Sequence, residues 1–235
     1  MELGTIIDDA FTYTKEGVLC NIGRWLKLML AFILLGIPFN GYVMRIYRGA
    51  HPAPEADNWG ILFIDGLKLI VVSLLYAIPV IILWVLAYSG FILTAASGDF
   101  GRINDMIMSG WSPNIGLIIA IYILEILLAV LLPVACIRFA RTNSFSEAFN
   151  LGGITAHIGR IGWLNYLLAL VVVGVIIGIP VAILIFGIII FGVLSGSLIG
   201  MILAAIAIML VIIPLAGVFQ ARCMTQVYDS IPKDA

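Results

Sequence analysis

The sequence predicts an all-α, polytopic helical membrane protein with about five transmembrane helices, interfacial amphipathic helices and parallel hairpin repeats. Of its 235 residues, 63% are hydrophobic and 11% are charged, whereas a soluble domain is about half apolar and roughly a quarter charged. The mean hydropathy is +1.19. Five apolar stretches reach the roughly 20 residues with which a helix crosses the hydrocarbon core. This length predicts a single membrane domain.

The N-terminal segment, residues 1–24, is predicted to form an amphipathic helix in the membrane interface. It is acidic and not continuously apolar, unlike a cleaved signal peptide. Small and apolar residues recur at the spacing of an interfacial helix, namely at Ile7, Ala10, Phe11, Thr14 and Val18. A frayed polar lead-in is the alternative interpretation.

The membrane domain, residues 25–222, contains the predicted spans, and a short polar tail, residues 223–235, follows it. The spans are predicted at residues 25–47, 67–94, 114–137, 163–191 and 198–221. The second and fourth are long, so they must tilt, kink or extend beyond the hydrocarbon. A sixth, re-entrant piece within residues 161–191 stays open as an alternative.

Lysine and arginine positions predict the orientation, because cytoplasmic loops carry an excess of these residues. With five spans, one side of the membrane holds four of them: Lys15, Arg24, Lys27 and Arg102. The other side holds eight: Arg45, Arg48, Lys68, Arg138, Arg141, Arg160, Arg222 and Lys233. The second side is therefore predicted to be cytoplasmic, with the N-terminus outside and the C-terminus inside a cell membrane.

Three span ends share one pattern: IPFNGYVMRIY from residue 37, LPVACIRFART from residue 132 and IPLAGVFQARC from residue 213. Each has a proline, then a small residue, then an arginine about two helical turns after the proline and on the same face. The small residues, which would admit a close neighbour, are Gly41, Cys136 and Gly217. The arginines, candidate contacts to lipid headgroups, are Arg45, Arg141 and Arg222. Such parallel repeats occur in transporters and wherever a hairpin is duplicated.

Further residues carry a resemblance to a known family. They are GYVMRIYRG, a short proline-containing linker, WGILFIDGLK at the entry to an apolar helix, and SFSEAFN after the third span. Through them nearly the whole chain resembles domain-of-unknown-function family 4013, multi-pass membrane proteins of archaea and bacteria. The linker reads Pro-Glu-Ala-Asp-Asn-Trp, which departs from the compact Pro-Glu-Trp form of the family. The resemblance implies the membrane class and no particular reaction.

One acid, Glu125, lies in the middle of the third span. It is roughly 18 Å from the start of the span at 1.5 Å per residue, where a charge costs at least about 2.5 kcal/mol. Tyr76 is predicted at a similar depth on the second span, with Ser73 one turn away. Three roles stay open: a protonated Glu125 hydrogen-bonded to Tyr76, an ion or proton pathway, and an acid reserved for a partner subunit.

Small residues recur at four-residue spacing in the last two spans. Gly174 and Gly178 lie on one span, and Gly196 and Gly200 lie at the start of the other. Such rows let helix backbones approach closely in a membrane. They are predicted to pack the two spans together, and homo-oligomerisation is the alternative.

Several classes of function are not expected. The net charge of −1 argues against nucleic acid as a partner, because phosphate binding needs a basic surface. The cysteines Cys20, Cys136 and Cys223 lie far apart, and neither histidine has a ligand neighbour at helical spacing, so neither disulfides nor a metal site are predicted. The VLSGS segment is not a Gly-x-Ser-x-Gly nucleophile frame, and no HExxH motif occurs.

The expected function is therefore non-enzymatic and without a cofactor. The sequence favours a membrane scaffold or accessory subunit that contacts lipids and packs against another membrane protein or against a second copy of itself. The alternative is a small transporter or channel in which Glu125 is the intramembrane acid.

Overall fold

The computed structural model describes residues 2–231, so Lys233, which enters the orientation count, lies outside the described residues. Within them the fold is all-α, as predicted, with eleven α-helices, one π-helical turn and no strand. The helices are α1 Leu3–Thr14, the π-helical turn Lys15–Leu19, α2 Ile22–Ile33, α3 Ile37–Tyr47, α4 Trp59–Ala87, α5 Ser89–Ala96, α6 Phe100–Met108, α7 Ile115–Thr142, α8 Phe145–Ala148, α9 Leu151–Ile161, α10 Trp163–Ser195 and α11 Leu198–Asp229.

Four helices are long and apolar enough to cross a membrane: α4, α7, α10 and α11. They have 28 to 33 residues, which corresponds to about 42–50 Å against a hydrocarbon core of about 30 Å. Only 6% to 11% of their most apolar windows is buried inside the protein. Soluble proteins rarely expose a contiguous apolar surface of this size, so the four helices contact lipid.

The first predicted span, residues 25–47, is wrong, because the structure divides it into two short helices. Helices α2 and α3 have 12 and 11 residues, about 18 and 16 Å, and each is too short to cross. Leu35 and Gly36 between them have φ angles of 58° and 68°. This left-handed backbone stops an α-helix, and Pro38 restarts one in the first turn of α3.

The two short helices form a hairpin that enters and leaves at the same end. Arg24, near the start of α2, is ion-paired with Glu55, which lies after the end of α3. The rings of Phe32 and Phe39 meet edge to face across the hairpin at 6.3 Å. Its tip carries Leu35, which is 87% exposed. The hairpin therefore returns to the end at which it begins, and we call residues 22–47 the re-entrant hairpin. Residues 163–191, in contrast, belong to the continuous helix α10.

The position of α1 contradicts the prediction that the N-terminus and the C-terminus lie on opposite sides of the membrane. Asp9 of α1 is ion-paired with Arg222 near the end of α11, and the rings of Phe11 and Phe219 are 4.7 Å apart. Since the hairpin does not cross, α1 and the end of α11 lie on the same side of the membrane.

Two compact units make up the fold, one within residues 1–71 and 133–235 and the other within 72–132. In the first, which we call unit 1, backbones approach very closely. A Cβ at Gly41 would lie 1.9 Å from the Leu62 carbonyl oxygen, and one at Gly66 would lie 1.8 Å from the Ile37 carbonyl oxygen. A Cβ at Gly217 would lie 2.7 Å from the Phe39 ring. Gly41 and Gly217 thus admit a close neighbour, as the repeat predicts.

The other unit, unit 2, contains the second part of α4, helices α5 and α6, and the first part of α7. Four aromatic rings cluster in it: Trp84 stacks on Tyr88 at 5.3 Å, and Trp111 lies 5.9 Å from Tyr88 and 5.8 Å from Phe91. Asp99 caps α6 by accepting a hydrogen bond from the backbone N–H of Arg102 at 2.9 Å. These contacts fix the connection between α4 and α7.

Candidate functional sites: an ion-pair layer and an intramembrane acid

Six arginines of unit 1 are each ion-paired with a carboxylate, and we call this set the ion-pair layer. The pairs are Arg24–Glu55, Arg45–Asp57, Arg48–Asp65, Arg138–Glu147, Arg141–Asp229 and Arg222–Asp9. Most join segments that are far apart in the chain. The layer therefore ties helix ends and loops together rather than one helix face.

The arginine of the first repeat fastens the linker that follows α3. Arg45 donates to the Glu55 carbonyl oxygen at 2.7 Å and to Asp57 Oδ1 at 2.9 Å. A further bond from Arg45 reaches the Asp57 carbonyl oxygen at 3.0 Å. Fixed guanidinium geometry allows one side chain to hold three acceptors, so the linker leads into α4 in a single conformation.

The arginine of the second repeat joins three helix ends. Arg141 of α7 donates to the Tyr47 carbonyl oxygen at the end of α3, at 2.7 Å, and to Asp229 Oδ2 at the end of α11, at 2.7 Å. The Tyr47 carbonyl is one of the last of its helix, which has no partner inside the helix. Arg141 thus both caps α3 and positions α11.

The arginine of the third repeat holds α1. Arg222 Nε donates to Asp9 Oδ2 at 2.8 Å, and its guanidinium lies 4.7 Å from the centre of the Tyr13 ring. Gln226 donates to the same carboxylate oxygen. Burial raises the pKa of Tyr13 to about 12 although Arg222 acts in the opposite direction, and the Tyr13 hydroxyl donates to the Ala50 carbonyl at 3.1 Å.

The structure thus places each repeat arginine in an ion pair inside the protein. Their side chains are 18%, 32% and 10% exposed for Arg45, Arg141 and Arg222. Each of the three guanidinium groups donates to at least one acceptor of the protein. Contact with lipid headgroups stays a prediction for these three residues.

His157 of α9 belongs to the same end of unit 1. Its ring stacks on Tyr228 with centroids 3.8 Å apart, and Nε2 is 3.0 Å from the Tyr228 carbonyl oxygen. A carbonyl can only accept, so Nε2 carries the proton in this bond. Burial lowers the pKa of His157, partly offset by the bond to Tyr228. The residue therefore favours the neutral form.

The predicted intramembrane acid lies in unit 2. Glu125 is ten residues after the start of α7, about 15 Å along the helix, and its side chain is half-buried. Trp84 Nε1 donates to Glu125 Oε1 at 3.3 Å. Because N–H···O bonds usually measure 2.7–3.2 Å, this contact is at the long end. Among the described residues no arginine or lysine forms an ion pair with Glu125.

A groove of about 300 Å³ runs beside Glu125 and is lined by α4 and α7. Ser73 and Tyr76 lie along the same groove, with Leu128 and Ala129 on the opposite wall. The structure therefore brings together the three residues that the sequence singled out. The groove is otherwise apolar, which leaves the carboxyl as its most polar group.

Sequence reasoning missed Trp84, the hydrogen-bond donor to Glu125. A signal was available, since Trp84 follows Ser73 by 11 residues, close to three helical turns, and so shares its face. Identifying Trp84 as a partner also requires the register of α4 against α7. Spacing along one helix does not contain that information.

The two glycine rows differ in the contacts that a Cβ at each glycine would make. A Cβ at Gly174 or Gly178 would meet no atom of the described chain within 4 Å. Gly196 ends α10 in the left-handed conformation with φ of 61°, and at Gly200 a Cβ would lie 3.6 Å from the Phe191 ring of α10. Among the glycines of α10 and α11, Gly192 has the tightest contact between the two helices, since a Cβ there would lie 2.5 Å from Met201 Sδ.

Metal binding has no candidate in the described chain. Residues 2–231 contain no group of three or more histidine, cysteine, aspartate or glutamate side chains that could hold an ion. The carboxylates of the ion-pair layer already accept from arginines.

Four lipid-facing helices and an all-α fold make this chain a helical membrane protein. The family described as "Protein of unknown function (DUF4013)" matches residues 26–191, and the chain belongs to that family. No curated protein and no solved structure matches it. The matched residues include the re-entrant hairpin and Glu125 and end before α11.

Proposed function

We propose that this protein is a non-enzymatic membrane scaffold or accessory subunit, with Glu125 as the contact point for a helix of its partner. The observation that carries the proposal is the state of Glu125. It is half-buried, lies beside an outward-opening groove, accepts a long hydrogen bond from Trp84 and belongs to no ion pair among the described residues.

An acid with so little compensation is costly at this depth. A charged side chain at the centre of a bilayer costs about 2.5–3.5 kcal/mol on insertion scales. Such residues therefore face protein or water and pair with a polar group. Trp84 supplies one donor, whereas a carboxylate can accept about four hydrogen bonds, so capacity remains for a donor from outside the chain.

The chemistry of the groove defines the partner. Its walls are aliphatic and would receive the small or branched side chains of a transmembrane helix. Its acid would pair with a lysine, arginine or neutral hydrogen-bond donor near the middle of that helix. The described residues 2–231 of a second copy offer no cation near the middle of a span, so a different polypeptide carrying a basic mid-span residue fits better.

The re-entrant hairpin also alters the orientation that we propose. With residues 22–47 returning to their own side, Lys15, Arg24 and Lys27 join the arginines of the ion-pair layer. Arg102, between α4 and α7, is the one basic residue of the described chain on the other side. This asymmetry supports a cytoplasmic C-terminus, and we propose that the N-terminus is cytoplasmic as well, in a cell membrane.

Site-specific photo-crosslinking in the host membrane tests the proposed contact. A photoreactive residue at Ala129, which lines the groove, is expected to crosslink one polypeptide that carries a basic residue in a membrane span. The same probe at Leu127, which is exposed on another face of α7, is the matched control. The crosslink should disappear when Glu125→Ala is added.

Each outcome of this experiment has a defined meaning. A partner captured equally from positions 127 and 129 would overturn the groove as the contact. A crosslink that survives Glu125→Ala would remove the acid from the interface. Crosslinking to lipid alone at position 129, with the protein folded, would overturn the accessory-subunit function itself.

A transporter or channel is the second candidate, because Ser73, Tyr76 and Glu125 line one groove. A conducting path needs several facing polar groups at the membrane centre, and this groove is otherwise apolar. Proton or cation flux into proteoliposomes distinguishes the two. Flux that Glu125→Gln abolishes without a change in melting temperature would favour transport over the accessory-subunit function.

A further inference from the structure

A second groove, in unit 1, runs along the seam between α10 and α11. Its outer part has a volume of about 420 Å³ and its inner part about 360 Å³. The two parts share Val181 and Ile212, so they adjoin each other along the helices and are treated together as one groove. We call it the seam groove.

The seam groove is long enough to hold a lipid chain. Along α11 it extends from Phe219 to Met201, which at 1.5 Å per residue is about 27 Å. One leaflet of the hydrocarbon core is about 15 Å thick, so a fully extended acyl chain fits. At the inner end α10 and α11 meet at Gly192 and Met201, which closes the groove.

The two ends of the seam groove differ in polarity. The inner part is lined by aliphatic residues and methionines, whereas Thr12 and Lys15 line the outer part. Lys15 is exposed, and in the described chain it belongs to no ion pair. It begins the π-helical turn Lys15–Leu19, and Leu19 at the end of that turn also lines the groove.

We infer that the seam groove binds one anionic lipid, with an acyl chain between α10 and α11 and the headgroup at Lys15. The polarity of the groove matches this ligand, because an ammonium group and a hydroxyl stand at the mouth of an apolar channel. A basic residue near the membrane surface is worth about 1 kcal/mol toward an anionic lipid. The ring of Phe11, whose centre lies 4.7 Å from that of Phe219, also lines the outer part of the groove.

Native mass spectrometry of the purified full chain, titrated with phosphatidylglycerol or phosphatidylcholine of identical chains, tests this inference. Wild type is expected to bind one phosphatidylglycerol about fivefold more tightly than phosphatidylcholine. Lys15→Gln should remove that preference. Lys27→Gln, which deletes an exposed lysine that does not line the groove, is the control and should keep it.

A second pair of variants tests the chain-binding part without altering charge. Ala205→Phe fills the inner part of the groove and should weaken both lipids at least about tenfold, since each buried CH₂ contributes about 0.8 kcal/mol. Ala207→Phe, on an exposed face of the same helix, should not. Equal binding by the two phenylalanine variants, or an equal loss from the two lysine variants, would reduce the bound lipid to an ordinary boundary lipid and overturn the site.

Discussion

The ion-pair layer of unit 1 and the acid of unit 2 differ in whether the chain supplies an opposite charge for each ionisable group. In the layer, six arginines meet six carboxylates supplied by the same chain. In unit 2, Glu125 receives one indole hydrogen bond and no cation from the described chain. In the first arrangement every charge has an opposite charge from the same chain, and in the second the acid has none among the described residues.

This difference separates structural charge from charge available to a partner. Removing one member of a satisfied pair leaves a partly buried ion without compensation. Removing the charge of Glu125 leaves no cation unpaired within the described residues. Substitutions in the two regions should therefore diverge, with loss of stability in unit 1 and loss of association in unit 2.

The largest expected effect comes from the backbone contact beneath the ion-pair layer. Gly66→Val would bring a Cβ within 1.8 Å of the Ile37 carbonyl oxygen. A backbone atom inside a helix cannot move aside as the end of a flexible side chain can. We expect a loss of at least about 3 kcal/mol, or no folded protein, in thermal melting in detergent. Gly60→Val, where a Cβ meets nothing within 4 Å, should melt near wild type. Similar melting of both variants would contradict the close packing of α3 on α4.

Next in size is the loss of an internal ion pair. Arg222→Met should destabilise by about 1–2 kcal/mol, less than a fully buried pair, because the Asp9 side chain is 36% exposed and keeps some water. Arg160→Met is the control, since Arg160 forms no ion pair in the described chain. The double variant Asp9→Asn with Arg222→Met should cost less than the two single changes added. Strict additivity would show that the pair contributes nothing.

A smaller effect should follow the protonation of His157. Because burial lowers its pKa in the folded state, the unfolded chain binds the proton more tightly. Stability is then complete above the unfolded pKa of about 6.5 and falls as the pH drops below it. The melting temperature should be lower at pH 5.5 than at pH 7.5, and His157→Phe, which keeps a ring against Tyr228, should reduce that difference. If His157→Phe keeps the same pH dependence of the melting temperature as wild type, another titratable group causes that dependence.

The sequence predicted much of this fold for a simple physical reason. Hydropathy measures transfer to lipid, and the four crossing helices are continuous apolar runs, two of them starting where predicted at Trp163 and Leu198. The sequence-based prediction failed at residues 25–47, because the hydropathy of a window depends on its composition and does not reveal a reversal of the backbone. The Leu-Gly-Ile-Pro run at 35–38 is a helix stop followed by a helix start, and it was the available signal.

The candidate site was predicted in part for a related reason. A single acid in an apolar helix is conspicuous in any sequence, so Glu125 could be found from the sequence alone. Its donor, Trp84, depends on how α4 and α7 are registered. The pairing of Arg141 with Asp229, 88 residues apart, likewise requires the tertiary structure.

The smallest effect on stability should come from Glu125 itself, and this makes it the most informative comparison with Arg222. In Glu125→Gln an amide oxygen can still accept from Trp84, so the free energy of unfolding should change by less than about 0.5 kcal/mol. The amide cannot form an ion pair, so a basic partner helix should be lost from the purified complex while the melting temperature stays the same. Arg222→Met should show the converse, with reduced stability and a retained partner. If Glu125→Gln instead melts as low as Arg222→Met, the acid belongs to the internal framework, and the distinction between the two regions fails.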